Sequence, residues 1–209
     1  MSIGSMIRRS FGSRERQVAD LYRSIFIDLD DFGRSLRELG VSPRRVLEIG
    51  AGEGAVTEII AQVFPDASVL AIDIIPHVGR LYNGRKKGVE FRQQPVQALA
   101  EEEPGQFDLV VMSDVLHHIP DGMRPEIIRS IVTVLSTDGC VFLKDWERNA
   151  NPIYYLCYAS DRWITGDRIA YLTSEEAKAL VLREAPDLRV VSTDTVKPWS
   201  NNYALVFSK

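Results

Sequence analysis

The segment VLEIGAGEGAVTEI, residues 46–59, limits the fold more than any other stretch of the chain. A β-rich apolar run ends in Gly50, Gly52 and Gly54, and a helical pattern begins at once. Glycine lacks the Cβ that blocks positive φ, so this spacing permits a sharp strand-to-helix turn and a close backbone approach to a ligand. The first turn of the helix adds unpaired amide donors facing the same space. Read as Gly50-x-Gly52-x-x-Ala55, the loop satisfies the dinucleotide fingerprint, with Asp73 about twenty residues on, at the end of the next strand candidate. Glu48 points elsewhere. It precedes the first glycine where a nucleotide-binding strand is usually apolar, and a carboxylate there suits a ligand of positive character and resists a pyrophosphate.

Around the loop the chain alternates short β-rich runs with amphipathic stretches, the pattern of a parallel sheet covered by helices. Strands are predicted at Arg45–Ile49, Val69–Asp73, Val89–Arg92, Phe107–Met112 and Cys140–Lys144, with apolar runs that imply burial on both faces. Helices are predicted at Gly54–Phe64, Pro76–Tyr82, Pro95–Glu102 and Arg124–Leu135. Before them, Val18, Leu21, Tyr22, Ile25, Leu29, Phe32, Leu36 and Leu39 recur at steps of three or four, a helix over residues 14–39. Asp28, Asp30 and Asp31 are positioned to break it in two. After the fifth strand comes an excursion over residues 146–187, helical at Pro152–Trp163 and Ser174–Arg183, with Thr173 and Glu176 at capping-box spacing. Leu188–Thr193 and Tyr203–Phe207 close the chain as a predicted antiparallel hairpin.

The expected fold is therefore α/β: a doubly wound, mostly parallel seven-stranded sheet with a C-terminal antiparallel hairpin, helices on both faces and an N-terminal helical cap. One domain spans residues 1–209. The cap covers 1–43, the ligand-binding core 44–145, the excursion 146–187 and the hairpin 188–209.

Composition narrows the function classes. Lys plus Arg is 25 and Asp plus Glu is 29, a formal net charge of −4 that argues against binding nucleic acid by broad phosphate neutralisation. Cys140 and Cys157 are too few for a disulfide scaffold, and no metal-ligand spacing is present. The opening MSIGSMIRRSFGSR lacks an apolar core of signal-peptide length, and no run approaches a membrane span, so a cytoplasmic protein is expected. Arg8, Arg9 and Phe11 read as a solvated tail or as part of a lid.

Taken together, these motifs resemble class I S-adenosylmethionine-dependent methyltransferases over roughly residues 44–145. Glu48, Gly50, Ala51, Gly52 and Gly54 match the loop that holds the methionine part of the cofactor in that family, and Asp73, followed by Ile74, matches the acid that binds the ribose. FDLVVMSDVLHHIP, residues 107–120, resembles the fourth-strand motif, with Ser113 beside the methionine end. LSTDGC, residues 135–140, stands where the family often has a Leu-Pro-Gly-Gly turn, and the resemblance implies a seventh strand inserted antiparallel at the sheet edge. Gln94, Pro95 and Val96 replace the usual Gly-Asp-Ala, so the Val96 amide or the Gln97 side chain takes over the adenine contact.

Open α/β sheets present ligands at the carboxyl ends of their strands, which directs attention to Ser113, Asp114, His117, His118, Lys144, Asp145 and Trp146. Histidine titrates near neutrality and suits a general base. His117 is preferred over His118 by its place in the motif, and adjacent side chains are expected to point apart. Asp145 is the second catalytic candidate, able to orient a substrate or to pair with Lys144 or Arg148. His118, Trp146, Tyr154 and Tyr158 are the candidate acceptor contacts, drawn partly from six aromatics clustered between Trp146 and Tyr171. Asn151-Pro152 is read as a helix start.

The expected activity is methyl transfer from S-adenosylmethionine to a small aromatic or otherwise apolar molecule, with an oxygen nucleophile favoured over nitrogen or carbon by a small margin. Two alternatives stay open at this point: an NAD(P)-dependent oxidoreductase using the same loop, and a non-catalytic cofactor-binding partner subunit.

Overall fold

The computed structural model describes residues 26–85, 87–149, 152–160 and 169–209, with backbone only at 156, 157 and 160. Seven strands form one sheet: β1 (Arg45–Ile49), β2 (Ser68–Asp73), β3 (Val89–Gln93), β4 (Phe107–Ser113), β5 (Leu135–Trp146), β6 (Arg189–Thr195) and β7 (Asn202–Ser208). Their order is β3-β2-β1-β4-β5-β7-β6. Neighbours from β3 through β5 pair in parallel, while β7 runs antiparallel to both β5 and β6. The chain moves outward from β1 through β2 to β3 and then returns to the other side of β1 at β4. The carboxyl ends of β1 and β4 therefore flank the switch point at which such sheets open a crevice.

Six helices are described: α1 (Leu29–Glu38), α2 (Ala55–Val63), α3 (Val96–Glu102), α4 (Arg124–Val134), α5 (Pro152–Ser160) and α6 (Ser174–Glu184). Side chains alternate across each strand, so β4 sends Leu109 and Val111 to one face and Val110 and Met112 to the other. The first face packs on Phe32 and Leu36 of α1 and on Ile60 of α2. The second packs on Leu99 of α3, Ile128 and Ile131 of α4, and Leu180 and Val181 of α6. Both faces of the sheet are thus covered, as the apolar strand runs require.

Asp28 resolves the long N-terminal helical pattern. Its carboxylate accepts hydrogen bonds from the amides of Asp30 and Asp31, each at 3.0 Å, and so caps α1. Residues 14–25 of the predicted helix lie outside the described residues, as do Arg8, Arg9, Phe11, Asn151 and Trp163. α1 is also tied to the β6–β7 turn, since Asp28 donates to the Lys197 carbonyl at 2.9 Å and the Lys197 amide donates to Asp31 Oδ2 at 2.8 Å.

Three expectations are corrected. Pro76–Tyr82 forms turns instead of a helix, because His77 and Gly79 take φ of 61° and 70°, which no helix accommodates. The turn expected at residues 135–140 lies within β5 as an irregular stretch, where pairing jumps from Phe107 with Leu135 to Leu109 with Cys140. The last strand sits inside the sheet between β5 and β6, and β6 forms the edge. The capping box is as predicted: Thr173 Oγ1 accepts from the Glu176 amide at 3.1 Å, and Glu176 Oε2 accepts from the Thr173 amide at 2.8 Å.

Candidate functional site

The glycine loop at the end of β1 is built by short-range demands. Gly50 has φ 79°, and a Cβ there would lie 2.2 Å from Val115 Cγ2, so only glycine fits. The amides of Gly50 and Ala51 both donate to the Ile72 carbonyl, at 2.8 and 3.0 Å, which folds the loop over the end of β2. A Cβ on Gly52 would meet nothing within 4 Å, so this face of the loop opens toward free space. Asp73 Oδ2 accepts from the Gly52 amide at 2.8 Å and Oδ1 from Ile75 at 3.1 Å. Ile74, between them, is 73% exposed.

Glu48 lies beneath the loop, 2% exposed, and accepts a hydrogen bond from Thr57 Oγ1 of α2 at 2.6 Å. Burial pushes its carboxyl up to about 7, with the Thr57 bond opposing and the Asp73 charge adding to the rise. A buried carboxylate of this kind gains most from a positively charged neighbour. The loop's open face and the Glu48 and Asp73 carboxylates, which accept hydrogen bonds, suit a cationic amino acid joined to a ribose diol. Val96 starts α3 with its side chain in the core and its amide in the first, unpaired turn.

Across the crevice, β4 ends at Ser113 and is followed by Asp114 at φ 58°, a conformation tolerated by few residues without glycine's freedom. Asp114 Oδ1 accepts from Lys144 Nζ at 2.6 Å and Oδ2 from Ser113 Oγ at 3.1 Å. Lys144 is fully buried, with its ammonium 5.6 Å from the Trp146 ring centroid.

A single 3₁₀ turn, Leu116–His118, then carries the two histidines. His117 is buried, its amide donates to Asp145 Oδ2 at 3.0 Å, and its Nδ1 meets Asp145 Oδ1. Burial alone would raise the Asp145 carboxyl, but the His117 ring, the Trp146 amide and Lys144 hold it below its ordinary value. An ionised carboxylate only accepts, so the proton between them belongs to Nδ1. Tyr203 of β7, opposite Asp145, is buried, and desolvation with the Asp145 charge pushes its hydroxyl well up. Asp145 therefore pairs with His117, and Lys144 with Asp114, instead of Asp145 with Lys144 or Arg148. Arg148 pairs with Glu176 at 2.6 Å. The histidine rings do not diverge, since their centroids are 4.1 Å apart.

The excursion docks beside this turn. Glu147 forms a parallel bridge with Leu172, and its carboxylate accepts from the Ser174 amide and hydroxyl at 3.0 and 2.8 Å. Trp146, buried against Ile153 and Tyr171 with Phe26 edge-on at 6.0 Å, is a packing centre of the excursion. α5 starts at Pro152, and its Tyr154 ring packs on Tyr171 at 5.5 Å. Tyr155 and Tyr158 are 61% and 42% exposed, so Tyr154 and Tyr158 are not equivalent despite their shared spacing. Among the described residues, no group of His, Cys, Asp or Glu could hold a metal ion, and no helix is long and apolar enough to cross a membrane.

The sequence pattern of the methyltransferase domain family matches residues 16–190. The chain belongs to this family. Its fold and glycine loop are those of the class I S-adenosylmethionine-dependent methyltransferases, and the oxidoreductase alternative has no support. A ubiquinone biosynthesis O-methyltransferase from Xanthomonas campestris pv. campestris is 38% identical over 108 residues, 50% of this chain and 44% of that protein. The protein of the same name from Acinetobacter baumannii is 34% identical over 122 residues, 56% of this chain and 49% of its own length. The chain thus spans about half the length of these relatives. Among solved structures, the Burkholderia thailandensis 1,6-didemethyltoxoflavin-N1-methyltransferase, with its namesake ligand and S-adenosylhomocysteine bound, superposes with a TM-score of 0.68 at 21% identity. The match covers 98% of this chain and 88% of that one. Human N-acetylserotonin methyltransferase in complex with S-adenosylmethionine gives a TM-score of 0.62 at 15% identity, covering 80% of this chain and 48% of that one.

Apart from Val96 at the start of α3 and Tyr154 and Tyr158 on α5, the predicted residues fall into two groups. Glu48, Gly50, Ala51, Gly52, Gly54, Asp73 and Ile74 gather at the carboxyl ends of β1 and β2, while Ser113, His117, His118, Asp145 and Trp146 gather at those of β4 and β5. Arg124 and Tyr203 were not foreseen. Arg124 is buried at the start of α4, donating to the carbonyls of Ile119 at 3.0 Å and Ala170 at 2.6 Å. Its place at a helix start after Asp-Gly-Met reads as surface, and no local pattern marks it otherwise.

Proposed function

We propose that this methyltransferase carries a methyl group from S-adenosylmethionine to a hydroxyl oxygen on a small aromatic acceptor. The observation that supports this reading best is the buried His117–Asp145 pair on the far side of the crevice from the glycine loop. The O-methyltransferase relatives favour oxygen, and the aromatic residues gathered in the excursion favour a ring.

S-Adenosylmethionine supplies an electrophilic methyl carbon on a sulfonium. Gly50, Ala51 and Gly52 would hold the methionine part, Glu48 would balance its positive charge, and Asp73 would take the ribose hydroxyls. The exposed Ile74 side chain and the Val96 amide would serve the adenine. Ser113 borders the methionine end. Such a displacement needs alignment and the removal of one proton, with no covalent enzyme intermediate. Asp145 holds the His117 ring with its proton on Nδ1, which leaves Nε2 as the basic nitrogen that takes the acceptor's hydroxyl proton. Asp145 stabilises the imidazolium as it forms. His118 and Tyr154 would bound the acceptor side, with Trp146 packed behind them and Tyr158 at the open edge.

The test follows label from methyl-labelled S-adenosylmethionine into a panel of hydroxylated aromatic compounds. His117→Ala should lower the single-turnover rate by roughly 10²–10⁴ while leaving the Michaelis constant for S-adenosylmethionine unchanged. The acidic limb of the pH–rate profile should vanish with it. A mutant with the wild-type rate and pH profile makes His117 structural.

A further inference from the structure

We infer that Tyr171 is a positioning residue for His117, and that residues 170–172 clamp the histidine and its aspartate into one unit. The inference rests on His117 as the base. Tyr171 is buried, and its ring stacks on the His117 imidazole with centroids 4.7 Å apart and planes 22° apart. The residues on either side of it are fastened to the two elements that carry the pair. Ala170 donates its amide to the His117 carbonyl at 2.9 Å. Leu172 bridges Glu147, two residues past Asp145, and accepts from the Arg148 amide at 3.1 Å. Arg124 locks the arrangement from beneath. Its buried guanidinium holds the Ile119 carbonyl beyond the histidine turn and the Ala170 carbonyl beside Tyr171.

The physical need for such a clamp lies in the side chain. The outer torsion of histidine is broad, so its ring plane is set by surroundings and not by rotamer preference. Asp145 fixes one edge of the ring through Nδ1, which still permits rocking about that contact. The Tyr171 face, together with the His118 ring 4.1 Å away, restricts this rocking, and proton removal from a bound acceptor needs the opposite nitrogen held in direction. A misplacement of about 1 Å can cost about 10²-fold in rate.

The experiment compares Tyr171→Phe, which keeps the stacked ring, with Tyr171→Leu and the longer, unbranched Tyr171→Met, which remove it. Two quantities are read: the single-turnover rate with S-adenosylmethionine and a catechol-type acceptor, and the low-field proton resonance of the Nδ1–H bonded to Asp145 in histidine-labelled protein. The expected result is a near-wild-type rate and a sharp resonance for Tyr171→Phe. Tyr171→Leu and Tyr171→Met should lose about 10²-fold in rate, keep the Michaelis constant for S-adenosylmethionine and show a broadened or shifted resonance. A resonance and rate unchanged in both aliphatic variants overturn the clamp, as does a Tyr171→Phe loss equal to theirs. If the wild type transfers no methyl group, the functional reading falls, and the resonance alone decides the clamp.

Discussion

The proposed role of Glu48 against the cofactor predicts a pH dependence of binding whose direction follows from its burial. Its carboxyl is raised from 4.5 to about 7, chiefly by desolvation. Because the folded value lies above the unfolded one, its contribution to stability is fully present below pH 4.5 and is lost as pH rises through about 7. That gap corresponds to roughly 3 kcal/mol of penalty for the ionised, ligand-free form. A bound sulfonium amino acid compensates the charge and returns the carboxyl toward its ordinary range. Affinity for S-adenosylmethionine should therefore rise with pH, by up to about tenfold per unit between about pH 5 and 7, with one proton released on binding. The ligand's own α-amino group titrates above this window, at about 7.7–8.0, and the Glu48→Gln comparison separates Glu48 from His117, which also titrates near neutrality. Calorimetry in buffers of different ionisation enthalpy measures both quantities. Glu48→Gln can still accept from Thr57 and should flatten the pH dependence. A wild-type affinity constant across the window, superposing on that of Glu48→Gln, refutes the reasoning.

Two further outcomes test the frame around the site. Tyr154→Ala should alter acceptor turnover more than Tyr155→Ala or Tyr158→Ala, because Tyr154 packs on Tyr171 while the other two face solvent; equal melting-temperature losses with unchanged acceptor kinetics would leave all three as packing. Phe32→Ala should destabilise the protein by about 3–5 kcal/mol in denaturant unfolding, since the ring is fully buried and meets Phe142 edge-on at 5.5 Å. A loss below about 1 kcal/mol would mean α1 is not anchored as described.

The glycine loop was legible because its demands are local: Gly50, Gly52 and Gly54 take positive φ within one turn, and spacing alone exposes that need. The parallel strands were legible from runs buried on both faces. Pro76–Tyr82 was misread because one short apolar repeat cannot outweigh the left-handed residues His77 and Gly79 within it. His117 and Asp145 were each visible as titratable residues after a strand, but their pairing spans 28 residues and depends on strand register. Arg124 and Ala170 are 46 apart, and no periodicity links a helix start to the far end of an excursion. Lys144 and Asp114 were each marked by their places past strand ends, but their pairing was not, since only the register of β5 on β4 brings them within reach.

The central claim is that the loop after β1 and the acid ending β2 are shaped for S-adenosylmethionine. Titration of the wild type and of Asp73→Ala with S-adenosylmethionine and with NADH tests it most directly. The expected result is S-adenosylmethionine binding with NADH inert, and a loss of about 1–3 kcal/mol in Asp73→Ala, the range for removing charged hydrogen bonds. Tight NADH binding with no detectable S-adenosylmethionine binding would contradict the account.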